Sequence, residues 1–574
     1  MSNPRSFDRT RNFGGGVDMY RAADEIDLNQ STLMQNMVVL DNFSVRTRPG
    51  FLLVDSNPGG SFAANVTTAA CQGLWYFQAP GTFSTGLLIG AEGGKLYGWN
   101  GTSWSGAWSP TLLSSVILPD FDQGLNAGLF TLADGSGGPV YWDGGGFTSG
   151  HFASYVNADD ASYGGGTNFF VGCTICCWVG SAGRMLLSGN PAYPETVFAS
   201  LLLAYSPHSV GGAYNWDSAK LSINVGNGDG DPVMALAQMQ DQTVAVLKQQ
   251  SVWLLDMSTL SLNPVVPTAN WSIVEQGSLV GGGIGCVGRD AWCNYQNDVL
   301  FMSADGVQSV QRMQAATGQY QLTAPLSRAI QPLINRINWS MAYLIKAVNY
   351  RQLAIFYVPL DGASVNNYAL VWNGRLYNNQ TGIFGQWTGH WTGLNASASC
   401  ITQFSSISAM ANASAGEQLV IGDGSSGTTK GYISAWQDGA TSLDINSVYF
   451  DNSVPVEWEL DTRAFTFGNL DALKKMRMVL ARFNTGFGTI NVSAELDLID
   501  LEDWNENLSS GGAVLPVLLP FVLALNKTFE AYRTLSGLNY CNEVIFKFSG
   551  TTSWAEIRNI TSSAFLKSVR DPLA

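Results

Sequence analysis

The stretch LLIGAEGGKLYGWNGTSWSG, residues 87–106, reads as an apolar strand, a glycine turn, a second strand ending in Trp99, an Asn100-Gly101 turn and a further aromatic. Residues 129–150, LFTLADGSGGPVYWDGGGFTSG, repeat that order with Trp142 in place of Trp99 and Asp143-Gly144 as the turn. Asn-Gly and Asp-Gly tolerate positive φ at both central positions, which a tight two-residue hairpin demands. The two tryptophans lie 43 residues apart (142 − 99), inside the span of roughly 40 to 50 residues of a four-stranded propeller blade. A third copy at residues 419–439, LVIGDGSSGTTKGYISAWQDG, puts Trp436 in the same place with Asp438-Gly439 after it. One blade cannot bury both faces of its sheet, so the copies must stack around an axis. The expected fold is all-β: a β-propeller whose Trp99, Trp142, Trp253 and Trp436 pack between blades, with buried aromatic area as their role.

Composition agrees. Charged residues are only 13% of the 574, against 63 Gly and 18 Trp, a balance that suits short strands and tight turns over solvated helices. The net charge of −15 repels phosphate backbones, which argues against ordinary nucleic-acid binding. Eight cysteines, Cys71, Cys173, Cys176, Cys177, Cys286, Cys293, Cys400 and Cys541, are scattered as reduced thiols would be, not as a disulfide scaffold. Residues 1–30 carry Arg5, Arg9, Arg11 and Arg21 without an apolar core segment, so no secretory signal is expected there.

Around the blades, three further units are expected. Residues 322–337, LTAPLSRAIQPLINRI, set Leu326, Ile330, Leu333 and Ile337 on one helical stripe, with Pro332 as a kink. Blades resume after it, joined by an Asp361-Gly362 turn. From about Val454 the strands lengthen, at residues 457–467, 474–483, 489–498 and 543–549. The expected division is therefore an N-terminal docking arm at 1–55, a propeller at 56–454 with the helical insertion, and a C-terminal β-domain for attachment at 455–574.

The arm holds LNQSTLMQNMVVLDNFSVRTRPGF, residues 28–51: an Asn-rich lead-in, a short strand from Met37, and a turn at Pro49-Gly50. Asn29, Asn36, Arg46, Arg48, Pro49 and Gly50 give it a resemblance to the tail nozzle (tail tubular) and DNA-stabilisation proteins of tailed bacteriophages. Residues 221–256, with a Gly-Asp-Gly turn and a strand ending in Ser-Val-Trp, and the hairpin NDVLFMSADGVQSV at 297–310 resemble the same group. The likeness covers residues 28–460 in pieces. It implies a hexameric ring in the virion tail, assembled in the host cytoplasm, with genomic DNA passing along the ring axis unread. Implied partners are a portal adaptor above and tail fibres or tailspikes at the side. Asn36, Arg46, Arg48, Pro49 and Gly50 would dock the arm on a partner, and acidic loops would line the bore.

The apolar run AVLPVLLPFVLAL, residues 513–525, is broken by Pro516 and Pro520 and is too short for a spanning helix. Leu515, Leu518 and Phe521 read either as buried strand or subunit contact, or as a tip loop touching the host outer membrane. No enzyme is expected: His151, His208 and His390 sit in unrelated surroundings, and neither Gly-x-Ser-x-Gly nor a phosphate-binding Gly-x-x-x-x-Gly-Lys-Ser/Thr occurs. No cofactor is expected. Cys173, Cys176 and Cys177 lack a second ligand pair for zinc. Asn227, Asp229 and Asp231 in NGDGDP offer oxygens to Ca²⁺, yet read better as a glycine turn, leaving a bound calcium open. Two competitors stand beside the nozzle: a carbohydrate-binding or carbohydrate-degrading propeller, with exposed Trp and a two-carboxylate cleft, and a distal protein of a long flexible tail.

Overall fold

The hairpin at residues 86–99 turns through Gly93 and Gly94, both at positive φ (56° and 75°), so Glu92 and Lys95 face each other across a two-residue loop. This computed structural model describes residues 5–54, 70–78, 86–99, 104, 118–124, 129–133, 135, 140–142, 152–154, 156–157, 172–180, 183–200, 215–216, 222–226, 228–239, 242–257, 278–316, 324–378, 383–403, 417–424, 433–436, 449–451, 454–468, 473–485, 489–496, 499–507, 528–534, 540–550 and 555–566. The turns expected at Asn100-Gly101, Asp143-Gly144 and Asp438-Gly439 lie outside these residues. Asp361 and Gly362 form the expected turn, both at positive φ (56° and 76°).

Six antiparallel sheets of three or four strands, and the first four strands of a ten-stranded sheet, surround one axis among the described residues. Their inner strands are Cys71–Gln78, Asp120–Gly124, Ile175–Val179, Val233–Gln238, Trp292–Tyr295, Lys346–Tyr350 and Ala396–Gln403. Each neighbours the next, and the seventh returns to the first, so the sheets are blades 1 to 7 of a closed β-propeller. Ile175–Val179 and Leu353–Val358 are buried at every position because blades cover both faces, hence near-continuous apolar runs instead of alternation. Blade 7 takes its outer strand from the far end of the chain: Phe51, Leu52 and Leu53 pair with Trp436, Ala435 and Ser434. That exchange closes the ring.

Aromatic residues fill the seams. Trp142 of blade 2 lies 4.8 Å from the ring of Phe77 in blade 1. Trp436 of blade 7 sits 5.5 Å from Tyr350 and 5.2 Å from Trp391, both in blade 6. Trp99 is buried against Trp104 at 5.5 Å, and Trp253 is half-buried against the cluster shared by blades 3 and 4.

Residues 5–47 are no projecting arm. Arg5–Thr10 and Val45–Thr47 both pair with Ala555–Leu566, in a sheet completed by Met37–Val39, Lys474–Thr485, Thr528–Thr534 and Tyr540–Cys541. Gln30–Gln35 instead bridges blade 6 to the C-terminal half: beyond Ile383–Thr392 the same sheet runs through Gln30–Gln35, Trp458–Thr462, Val544–Gly550, Thr489–Leu496 and Ile499–Asn507. The backbone groups expected to pair with a neighbour are thus consumed within the chain. The sequence pattern did not signal Ile499–Asn507, Thr528–Thr534 or Ala555–Leu566 as strands.

The expected long helix is two short pieces, a 3₁₀ turn at Arg328–Ile330 and α2 at Gln331–Ile334, preceded by an unanticipated α1 at Val310–Ala316. Pro332 occupies the first turn of α2 and does not kink a longer helix; its missing N–H has no partner to lose there. Of the expected stripe, Ile330, Leu333 and Ile337 are buried and Leu326 is half-buried against the same core, with Ile334 buried beside them.

Candidate functional site

Arg48 is the best-satisfied charge in the described chain. Its side chain is fully buried, and all five guanidinium donors are used. Nε donates to Asn36 Oδ1 at 3.0 Å, one terminal nitrogen to Asp451 Oδ1 at 2.9 Å and Pro49 O at 3.2 Å, and the other to Asp451 Oδ2 and to Thr392 O at 3.0 Å. Asn36, held at positive φ (54°), donates through its side chain to Thr392 Oγ1 (2.8 Å) and Glu457 O (2.6 Å). Asp451 also accepts from Phe51 N at 2.9 Å, and Trp436 Nε1 donates to Pro49 O at 2.8 Å. A Cβ on Gly50 would fall 2.0 Å from Phe450 O, so only glycine fits.

This cluster joins blade 6, blade 7, the first 50 residues and the start of the C-terminal domain. It corrects the docking assignment: Asn36, Arg48, Pro49 and Gly50 are buried and turned onto their own chain. Arg46 is half-buried in the strand between Met37–Val39 and Ala555–Leu566. Sequence reading missed Asp451, which lies 403 residues from Arg48; only a demand that a buried arginine find a carboxylate points to it.

The second cluster occupies the propeller axis, a cavity of about 440 Å³. Asp120 accepts from Phe121 N (3.0 Å) and Cys176 N (2.8 Å), and Asp122 from Gln123 N (2.7 Å) and Trp178 N (2.5 Å). Two carboxylates on blade 2 therefore serve as rungs to the inner strand of blade 3. Arg289, from the blade 4–5 connection, donates to Leu118 O (2.6 Å), Thr174 O (3.2 Å), Pro119 O (3.2 Å) and Asp290 Oδ2 (2.9 Å). It ties blade 5 to blades 2 and 3 across one end of the axis. Lys346 Nζ lies 3.0 Å from Asp290 Oδ2.

Burial pushes Asp122 up to about 7 against the pull of the Trp178 and Gln123 N–H groups, and Asp120 up to about 6 against Arg289. Burial would also raise Asp290, but Arg289 and then Lys346 hold it well below the usual carboxylate range. Two carboxylates with separated acidities resemble an acid–base pair, yet here every oxygen of Asp120 and Asp122 accepts a backbone N–H, which suits scaffolding over turnover. Elsewhere, Glu92 is 1% exposed with neither carboxylate oxygen partnered. Burial, then the negative charge of Asp423, raises it to about 9.

For an acid whose folded pKa is raised, the stability it contributes is complete below its unfolded pKa and is lost as pH climbs through the folded one. The windows are therefore about pH 4 to 7 for Asp122 and about pH 4 to 9 for Glu92. Asp122→Asn, which keeps an oxygen for Trp178 N–H, and Glu92→Gln are each expected to stabilise the fold at pH 8 by about 1 kcal/mol or more. The gain should shrink toward pH 4. Urea midpoints measured from pH 4 to 9 check this, and midpoints that track the parent protein at every pH would contradict it.

Of the remaining candidates, Asp229 accepts from Lys248 Nζ at 2.5 Å, and Asp231 accepts from Gln250 N and Ser251 Oγ; Asn227 lies outside the described residues. Their oxygens hold a turn together, and among the described residues no three metal-ligating side chains cluster. Cys176 and Cys177 are buried in the inner strand of blade 3, Cys173 just before it, and none of the eight cysteines forms a disulfide among the described residues. Burial holds His390 down at about 4, neutral at physiological pH. Leu515, Leu518 and Phe521 lie outside the described residues, and no helix described is long and apolar enough to cross a membrane.

No family model matches the chain, and no curated protein does. Among solved structures, the RRP9 WD40 repeats align at a TM-score of 0.38 and 9% identity, covering 68% of this chain and 98% of that one. BBS1N in complex with ARL6DN, soaked with lead, aligns at 0.37 and 13%, covering 68% and 97%. PorZ of the type-IX secretion system of Porphyromonas gingivalis aligns at 0.33 and 10%, covering 72% and 44%. At this level of similarity the likenesses carry no argument about what the chain binds or does.

Proposed function

We propose that this chain is a non-enzymatic virion protein, the nozzle or hub at the end of a short phage tail. Copies assemble as a ring, six by the family resemblance, around the exit path of the genomic DNA. The ring retains the genome and joins a portal adaptor to tail fibres or tailspikes. The supporting observation is the Arg48 cluster. The string that carries the resemblance, Asn36 with Arg48, Pro49 and Gly50, is one buried assembly that fuses the propeller to the C-terminal domain. The resemblance therefore falls on fold-determining residues gathered in space.

A part loaded by packaged DNA needs its two halves welded, and the shared sheet from blade 6 through Gln30–Gln35 to Ile499–Asn507 does that. With Arg289 reaching across the propeller axis and only about 440 Å³ there, DNA would pass between copies along the ring axis, not through a propeller. Contacts to adaptor and fibres would come from surfaces other than Arg48 to Gly50, and contact with the host membrane from the 513–525 run. Native mass spectrometry of the purified chain and gold labelling of particles test this. Rings, with label at the tail tip, are expected; a monomer absent from particles would overturn the proposal.

A further inference from the structure

A cavity of about 840 Å³ lies beside the outer edge of blade 6, between blade 5, the 324–329 segment and the Asp18–Arg21 turn. Aromatic surface is left open there: Tyr20 is 53% and Phe384 69% exposed, and Phe384 packs on Tyr377 at 4.6 Å. Three arginines line it. Arg21 is neutralised by Asp18 at 2.7 Å, while Arg328 sits 5.1 Å above the Tyr20 ring. Asp298 spends its oxygens on Ser309 Oγ and the Gln311 N–H. Arg312 and Arg328 have no acidic partner among the described residues. Open aromatic rings beside uncompensated arginines are the composition of a protein-binding hot spot, here a cationic one on a chain of net charge −15.

The complementary feature is on the same sheet. Ile499–Asn507, sequence IDLEDWNEN, carries Asp500, Glu502, Asp503 and Glu506, and among the described residues it pairs on one side only, with Thr489–Leu496. Acid on an edge strand by itself only discourages stray pairing. This strand stands five places from Ile383–Thr392, which carries Phe384, or roughly 24 Å at about 4.8 Å per place. Groove and acidic edge therefore occupy separate places along the sheet. Two different, complementary patches on one protomer make a head-to-tail contact, which closes into a ring when the rotation permits.

We propose that the groove at Tyr20, Arg312, Arg328 and Phe384 receives the acidic edge strand at residues 499–507 of a second copy of this chain. The inference rests on the ring assembly proposed above and names its contact. The test uses the full chain, with assembly followed by light scattering against concentration and salt. R312E/R328E and E502K/D503K are each expected to raise the half-assembly concentration by about tenfold or more. The four changes combined should restore it, which a merely misfolded variant would not do. A photo-crosslinker replacing Phe384 should capture the 499–507 peptide of another copy. Assembly indifferent to both pairs, no restoration, a wild-type monomer at every concentration, or capture of any other peptide would overturn the interface. Rings that persist without dependence on the groove would do so while leaving the virion function standing.

Discussion

Replacing Arg48 with alanine will cost about 3–5 kcal/mol of stability, and at that scale soluble protein should nearly vanish. The penalty does not come from a lost surface attraction, which would be worth little. It comes from leaving Asp451 without its arginine in a part-buried site together with Thr392 O and Asn36 Oδ1, each stripped of a donor. Arg48→Lys should recover little, because one ammonium cannot supply five donors in the plane that Asn36, Pro49, Thr392 and Asp451 define. Guanidinium chloride denaturation of wild type, Arg48→Lys and Asp451→Asn checks the argument. A loss below about 1 kcal/mol for Arg48→Lys would mean that the cluster is not the joint described.

Trp436→Ala should cost a similar amount, about 3–5 kcal/mol, through packing. The indole is 3% exposed and wedged among Phe51, Tyr350 and Trp391 with ring centroids 5.2 to 6.4 Å away. Blade 6, blade 7 and the closing strand from the N-terminus all lean on it. Trp436→Phe should lose far less, on the order of 1–2 kcal/mol, since Pro49 O keeps its bond from Arg48 when the indole N–H is gone. Denaturant midpoints for the pair decide this. Equal losses for Ala and Phe would make the hydrogen bond, not the seam packing, the main term.

The propeller was legible because blades write themselves locally. Gly93-Gly94, Asp361-Gly362 and the strand-end tryptophans are signals within a few residues of the turns they make. Trp142 packs on Phe77 of blade 1 and Trp436 on Tyr350 of blade 6. The closing of blade 7 was not legible, since Phe51–Leu53 meets Ile433–Trp436 across nearly 400 residues and nothing in either strand names the other. For the same reason the Arg48 string was read as a docking signal. Its composition is that of a polar turn, and only Asp451 and Thr392, far along the chain, show that it points inward. The short helices at 328–334 misled differently: a 3.6-residue apolar stripe is also what a 3₁₀ turn and a single α-turn produce when laid over a core.

A side-chain-resolution cryo-electron microscopy map of the full-length protein in its assembled form tests the central claim most directly. The account requires seven blades, residues 51–53 as the outer strand of the seventh, and the Arg48 guanidinium on Asp451 of the same chain. A map in which the first 54 residues leave the body and lie on a neighbouring copy, with blade 7 closed by other residues, would contradict it.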